Sequence, residues 1–352
     1  MKVKLNTNFS LNGNQFITSN EIINFSKEFS VDIYSFLTDL FSEASFIEVK
    51  TSGSTGQPKT ICIKKEFLIN SAKATGNIFD LKADTSALMC LPIKYIAGKM
   101  MLVRAIVLGW KLDIIATNSN PLANVNKTYD FSAMVPLQLE NSLNKIHLIK
   151  KIIIGGGVVS SNLQKKIQLT QTDIYATYGM TETVTHIALK RLNNFSSSQA
   201  KANFQRFYKI LPNIKIYKDT RNCLVINAPD VSNEIIFTND VVDLVSDKHF
   251  IWLGRYDNVI NSGGIKLYPE NIEEKLSKDI TNRFFVIGVP DPKLGERLIL
   301  IVEGTNQTIN FKDSDLSNYE TPKEIFFVSK FIETETKKIQ RLKTLNLIDI
   351  KI

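Results

Sequence analysis

Cysteine and histidine are both scarce in this sequence. Cys62, Cys90 and Cys223 are the only thiols in 352 residues, too few and too scattered for a disulfide framework or a zinc cluster. His147, His186 and His249 are the only imidazoles, which leaves few candidates for histidine-centred acid–base chemistry. Long apolar runs are missing too. A bilayer span needs about 20 consecutive apolar residues, and the most apolar window, Met100 to Trp110, is interrupted by Arg104. The opening residues, MKVKLNTNFSLNGNQF, turn polar after their lysines and hold no signal-peptide core. A cytoplasmic protein with no membrane insertion is expected. The pattern GxxxxGKS/T of a Walker-type phosphate loop occurs nowhere, and there is no internal repeat or low-complexity tract beyond the short polar loop FSSSQ at 195–199.

What is present is the composition of a globular protein, with 43% hydrophobic and 22% charged residues. Single cores stop growing near roughly 250–300 residues, so two domains of unequal size are expected. The formal net charge is +8, with lysines spread along the whole chain. No basic block is interleaved with aromatics and no helix-turn-helix signature occurs, so nucleic acid is not an expected partner. An anionic small molecule fits the charge as well.

Hydrophobic spacing predicts one amphipathic helix over 20–43, carried by Ile22, Ile23, Phe25, Phe29, Ile33, Phe36, Leu37 and Leu40. A strand over 46–50 follows, then the loop TSGSTGQPK, a strand over 60–63 and a helix over 65–79. Strands at 86–91, 111–116, 131–135, 151–154 and 173–177 alternate with helices near 98–108, 137–144 and 161–169. Such alternation predicts an α/β sheet with helices on its faces. Residues 184–256 read as antiparallel strands of a β-rich subdomain. From 259 onward the pattern is α+β: a helix over 269–276, strands near 284–289, 298–302 and 325–328, and a charged tail.

Five segments carry chemistry. In Thr51-Ser52-Gly53-Ser54-Thr55-Gly56-Gln57-Pro58-Lys59 two glycines free the backbone N–H groups, four hydroxyls add donors and Lys59 adds charge, a phosphate cradle or a plain surface turn. Tyr178-Gly179-Met180-Thr181-Glu182-Thr183 follows a strand, where α/β sheets bind ligands. An aromatic face there can stack on a purine, and a carboxylate can hold Mg²⁺ against phosphates. Gly155-Gly156-Gly157 is bare backbone after a buried strand and only half resembles a dinucleotide fingerprint, lacking its third glycine. Asp240 and Arg255, at two strand ends, can grip a ribose diol or simply pair with each other. They are followed by Asp257 and the turn at Gly263 and Gly264. Last comes Glu333-Thr334-Glu335-Thr336-Lys337-Lys338-Ile339-Gln340-Arg341, a solvated surface or a phosphate-handling lysine.

In this order the segments resemble the adenylate-forming (AMP-binding) superfamily of acyl-CoA synthetases and adenylation domains, from Thr51 to Arg341. Within it, the stretches LPIKYIAGKMMLVRA (91–105), THIAL (185–189) and SGGIKLYP (262–269) are most similar to the o-succinylbenzoate–CoA ligase group of menaquinone biosynthesis. The resemblance implies a large N-terminal α/β domain with a β-rich subdomain, residues 1–256, and a small mobile C-terminal α+β domain, residues 257–352. It implies ATP, Mg²⁺ and CoA as cofactor and co-substrates, and a carboxylic acid activated as its adenylate before transfer to the CoA thiol. Thr51, Ser52, Gly53, Ser54, Thr55, Gly56 and Lys59 would hold the β- and γ-phosphates. Gly155, Gly156, Gly157, Tyr178 and Gly179 would flank adenine, and Asp240 and Arg255 would bind ribose. Thr181 would touch the α-phosphate, Glu182 would hold the metal, and Lys338 would bridge α-phosphate and carboxylate. Asp257 would be the hinge, and Gly263 and Gly264 would line the pantetheine tunnel.

Three positions depart from the superfamily pattern: Lys337 stands where a glycine is usual, Asn239 replaces a glycine before Asp240, and Tyr95 replaces a frequent histidine. Spacing to Ile339 and Arg341 favours Lys338 over Lys337 as the working lysine. Tyr95 and Arg104 are the candidates for contact with the acid, since a buried guanidinium needs an anion. A synthetase for another acyl or aryl acid and a non-catalytic nucleotide-binding relative are the alternatives; monomer or homo-oligomer stays open.

Overall fold

A computed structural model describes residues 2–50, 59–195, 207–312, 314–334 and 338–349. Its centre is a sheet of thirteen strands among the described residues. Six of them, Ser10–Leu11, Lys111–Ile114, Ser86–Met89, Tyr129–Met134, Ile149–Ile154 and Asp173–Gly179, lie side by side and parallel. Strands buried on both faces read as unbroken apolar runs, and Ile149–Ile154 shows why. Ile152 and Ile154 join the cluster on one face with Leu163 and Ile174. Ile153 points to the opposite face, to the cluster of Phe131, Trp110 and Met101.

Beyond Asp173–Gly179 the sheet continues antiparallel through His186–Arg191, Tyr208–Ile210, His249–Arg255, Ile236–Ser246, Cys223–Asn227 and Lys215–Lys218. The β-rich segment is therefore hydrogen-bonded onto the parallel strands. One edge of the sheet is the two-residue strand Asn14–Gln15, and the other is Lys215–Lys218, where only Ile216 is buried and both lysines are exposed.

The helix Ile96–Leu108 has residues Met100 to Ile106 buried, the signature of a helix packed on all sides. It ends at Gly109, whose φ of 74° is a left-handed cap that glycine adopts without strain. The single helix expected over 20–43 is two, Ser19–Phe29 and Val31–Phe41. Ser30 between them is extended, with φ −162°, and its side chain accepts from the Ile33 N–H. It closes one helix and caps the next, while the apolar spacing runs on across the break. The first helix is capped by Thr18, whose hydroxyl accepts from the Glu21 N–H, while the Glu21 carboxylate accepts from the Ile17 N–H in return.

A second, five-stranded sheet uses only residues from Ile260 onward: Ile265–Leu267, Ile260–Ser262, Gly295–Glu303, Phe284–Asp291 and Glu324–Val328. Helix Pro269–Leu276 covers one face of it through Ile272 and Leu276, against Val286 and Leu300. The sequence reading did not anticipate the short helix Arg341–Leu345.

Candidate active site

Loops at the carboxyl ends of the parallel strands open onto one large cleft of about 2310 Å³. Gly156, Gly157, Tyr178, Asp240, Arg255 and Lys338 all line it. These residues lie in separate segments of the sequence, and the fold brings them to one place.

Asp240 and Arg255 face each other in the register of two antiparallel strands. Arg255 Nη1 stands 3.5 Å from Asp240 Oδ1, and Arg255 Nη2 stands 3.4 Å from Asp257 Oδ2. Asp240 is buried, at 7% exposure, and accepts a 2.6 Å hydrogen bond from the phenol of Tyr178 on Oδ2. Burial first, then the neighbouring Asp240 charge, hold the Tyr178 hydroxyl well above its ordinary pKa. It stays protonated and remains a donor.

Asp257 sits in the 3-10 turn Tyr256–Asn258, on the only described strand-to-strand path between the two sheets. Its carboxylate also accepts from Asn239 Nδ2 at 3.3 and 3.4 Å, while Asn239 Oδ1 accepts from Arg221 Nη1 at 2.9 Å. Asn239, a mere departure in the sequence, thus ties Arg221 to the Asp257 carboxylate. A side-chain clamp of this kind leaves no periodic signal that the sequence reading could use.

Lys338 lines the cleft. Its N–H donates to Thr334 Oγ1 at 3.1 Å, its carbonyl accepts from the Thr334 N–H, and Glu333 bridges to Ile339. Partial burial, then the charge of Arg255, hold the Lys338 ammonium below the usual lysine pKa. Arg341 is itself anchored. Its guanidinium grips both oxygens of Glu273, at 2.5 and 2.8 Å, and donates to the Val286 carbonyl at 2.9 Å.

Thr51, Ser52, Gly53, Ser54, Thr55, Gly56 and Lys337 lie outside the described residues. The stem of the phosphate-type loop is described: Lys50 pairs with Thr60 at the end of the antiparallel hairpin Phe46–Lys50 and Thr60–Lys64, with Lys59 exposed beside it. Gly179 lines the cleft and has no room for a side chain, since a Cβ would lie 2.1 Å from the Thr185 carbonyl oxygen. Gly155 borders the cleft residues without lining the cleft itself.

Thr181, Glu182, Gly263, Gly264 and Arg104 are not in the cleft wall. Thr181 and the exposed Glu182 form the 3-10 turn Thr181–Thr183 beside it. Gly263 and Gly264 turn the hairpin between Ile260–Ser262 and Ile265–Leu267, away from the cleft lining. Glu182 is suited to Mg²⁺ in one respect: that ion keeps waters and takes one or two carboxylates plus substrate phosphates. No cluster of three or more metal-ligating side chains exists among the described residues.

Tyr95 caps the helix Ile96–Leu108 and lines the cleft. Arg104, on the same helix, is buried at 2% exposure. Its Nε donates to Thr75 Oγ1 at 3.1 Å and its Nη2 to Thr185 Oγ1 at 3.4 Å, and no carboxylate pairs with it among the described residues. Burial lowers the guanidinium to about 10. Beside it, burial and then the Arg104 charge push the His186 imidazole down to about 3, and its Nε2 has no hydrogen-bond partner among the described residues. The sequence did not single out His186, or Phe36 and Lys99, which line the cleft with the Lys99 ammonium 4.5 Å from the Phe36 ring centre.

Comparison with known proteins adds three findings. Residues 50–226 match the sequence model of a family described as AMP-binding enzyme. The chain is 26% identical to a 2-succinylbenzoate–CoA ligase of Staphylococcus epidermidis over 328 residues, 83% of this chain and 68% of that protein. Among solved structures it is 36% identical to an acyl-CoA synthetase (AMP-forming)/AMP-acid ligase II-like protein from Dyadobacter fermentans, with a TM-score of 0.60 over 90% of this chain and 93% of that one. The fold is also similar to o-succinylbenzoate CoA synthetase from Bacillus subtilis bound to its acyl-adenylate, with a TM-score of 0.75, 20% identity, and coverage of 86% and 69%.

Proposed function

Because the chain belongs to the AMP-binding enzyme family, we propose that it is an acid–CoA ligase that forms an acyl-adenylate and then a thioester, with o-succinylbenzoate as the acid. The observation that carries this reading is the meeting of Lys338 with Tyr178, Asp240 and Arg255 in one cleft.

In the first half-reaction a carboxylate oxygen attacks the α-phosphorus of ATP, the bond to the bridging oxygen breaks, and pyrophosphate leaves. Negative charge builds at the transferring centre, and the preplaced ammonium of Lys338 stabilises it. Loss of one such donor costs about 10²–10³ in rate. Asp240 and Arg255 hold the ribose, Tyr178 and the bare backbone of Gly155–Gly157 flank the base, and Thr181 touches the α-phosphate. Thr51, Ser52, Gly53, Ser54, Thr55, Gly56 and Lys59 hold the outer phosphates. Mg²⁺, held by Glu182 and the phosphates, would neutralise charge on the leaving pyrophosphate.

In the second half-reaction the CoA sulfur attacks the acyl carbon, the thiol proton passes to solvent, and AMP leaves with the electron pair of the broken C–O bond. Gly263 and Gly264, turned away from the cleft while Lys338 lines it, would meet the pantetheine arm after the small unit, residues 257–352, rotates about Asp257. For the acid, Arg104 supports a substrate with a second, unreacted carboxylate. It is a fully buried cation whose described partners are hydroxyls and a thioether, on the helix that Tyr95 caps. The names of the relatives point to the same acid.

The test is mass spectrometry of reactions with ATP, Mg²⁺ and o-succinylbenzoate, with and without CoA, beside a panel of benzoates and medium-chain acids. An adenylate without CoA and a mono-thioester with it, for o-succinylbenzoate alone, is the expected result. Turnover of another acid instead would discard the substrate and keep the mechanism. No adenylate from any acid would overturn the ligase reading.

A further inference from the structure

Asp240 stands in the strand Ile236–Ser246 and Tyr178 in Asp173–Gly179, and these strands are not neighbours: His186–Arg191, Tyr208–Ile210 and His249–Arg255 stand between them in the sheet order. The 2.6 Å bond from the Tyr178 phenol to Asp240 Oδ2 is therefore not a by-product of strand pairing. The ring that delivers the phenol is itself held, edge-on to Phe250 at 5.1 Å and tilted against Tyr208 at 5.8 Å. Other acceptors near the phenol are weaker. Thr238 Oγ1 gives its own proton to the Leu224 carbonyl at 2.8 Å and already accepts from the Asp240 N–H at 3.1 Å. An anionic acceptor outcompetes a neutral hydroxyl for the single phenolic proton.

A carboxylate side chain can swivel about its Cβ–Cγ bond, and Arg255, 3.5 Å away on the other oxygen, is too distant to hold it alone. We propose that the phenolic hydroxyl of Tyr178 is a positioning group: it locks the Asp240 carboxylate so that Oδ1, beside Arg255, is presented to the sugar hydroxyls of the nucleotide, and this lock is what lets the site reject deoxyribonucleotides. The inference rests on the reading that Asp240 binds ribose. It assigns Tyr178 a task distinct from flanking the base, since the ring performs one and the hydroxyl the other.

The test is equilibrium binding of ATP and 2′-deoxy-ATP, by calorimetry, to the parent protein, Tyr178→Phe, Asp240→Asn and the double variant. Tyr178→Phe keeps the ring and its edge-on packing, and thermal unfolding of each variant reports on folding. The parent should prefer ATP, and Tyr178→Phe should weaken ATP on the order of tenfold while the preference shrinks toward unity. The double variant should bind ATP no worse than Asp240→Asn alone, because the hydroxyl acts only through that carboxylate.

A Tyr178→Phe protein that weakens both nucleotides equally, keeping the preference, would overturn the proposal, as would additive losses in the double variant. Should Asp240→Asn itself retain the full preference for ATP, the ribose assignment of Asp240 would fall with it. The two failures are thus distinguishable.

Discussion

An ammonium that has lost part of its water interacts more strongly with a nearby anion and gives up its proton more easily. Lys338 is in that position, with burial and then Arg255 lowering its pKa. Lys338→Ala should cut pyrophosphate release by about 10²–10³ while supplied acyl-adenylate is still converted to thioester; equal loss in both steps would remove Lys338 from the first. The sign with pH follows: the amine is charged below its pKa, so adenylation should fall with rising pH before an ordinary lysine would titrate. Arg104 gives the second residue-scale expectation. Replacing an uncompensated buried cation by an apolar side chain of similar length is neutral or stabilising, so Arg104→Met should melt no lower than the parent. It should nevertheless lose adenylation of o-succinylbenzoate by about tenfold or more, with ATP binding unaffected. Unchanged o-succinylbenzoate turnover would remove Arg104 from the acid pocket. Both residues were legible in the sequence, one from its spacing to Ile339 and Arg341, the other as a charge inside an apolar helix. The partners of Arg104 were not, because hydrogen bonds such as Arg104 to Thr185 join residues far apart in the chain.

Elements with strong local signals were readable almost to the residue. Helix Lys65–Phe79 occupies its expected span, and Pro269–Leu276 starts at its proline, as fixed φ and a missing N–H favour. The break at Ser30 was not readable, since apolar spacing reports on the buried face and that face continues from Ile22 through Ile33 and Phe36. The first helix stops where the Ser30 backbone turns extended, and the Ser30 hydroxyl caps the second. Ser30→Ala should cost about 1 kcal/mol, seen as a lower urea midpoint with an unchanged slope, whereas Ser30→Asp should restore it. The stretch before the next helix carries a different constraint. A Cβ at Gly98 would lie 2.2 Å from the Pro92 carbonyl oxygen, so this glycine lets the turn that presents Ile93 and Tyr95 to the cleft pack directly on the helix.

For the whole molecule, the relation between the two sheets matters most to the proposed chemistry. Helix Pro269–Leu276 meets helix Ser161–Ile167 through Ser161, whose hydroxyl donates to the Glu274 carbonyl at 3.3 Å, and the large sheet through the electrostatic pull of Glu274 on Lys190. The Lys190 ammonium lies 5.1 Å from the centre of the Tyr208 ring. These contacts belong to the arrangement in which Lys338 lines the cleft. Glu274→Lys sets like charges against each other there, so it should slow adenylation roughly two- to fivefold and leave thioester formation from added adenylate less affected; equal slowing would sink the idea that the contact is specific to one arrangement. The change of strand and helix pattern suggested a boundary around 255–258 but carried no information about such contacts, which depend on how two separately legible units dock.

The large sheet has one further consequence, at its two ends. Thirteen strands leave only two free borders among the described residues, and neither is a long flat apolar strand. Asn14–Gln15 is too short to template another chain, and Lys215–Lys218 begins and ends on an exposed lysine. A second copy docking strand to strand would have to bury those ammonium groups side by side. Crowded solutions of this protein are thereby protected from edge-to-edge stacking by a few residues that take no part in its chemistry.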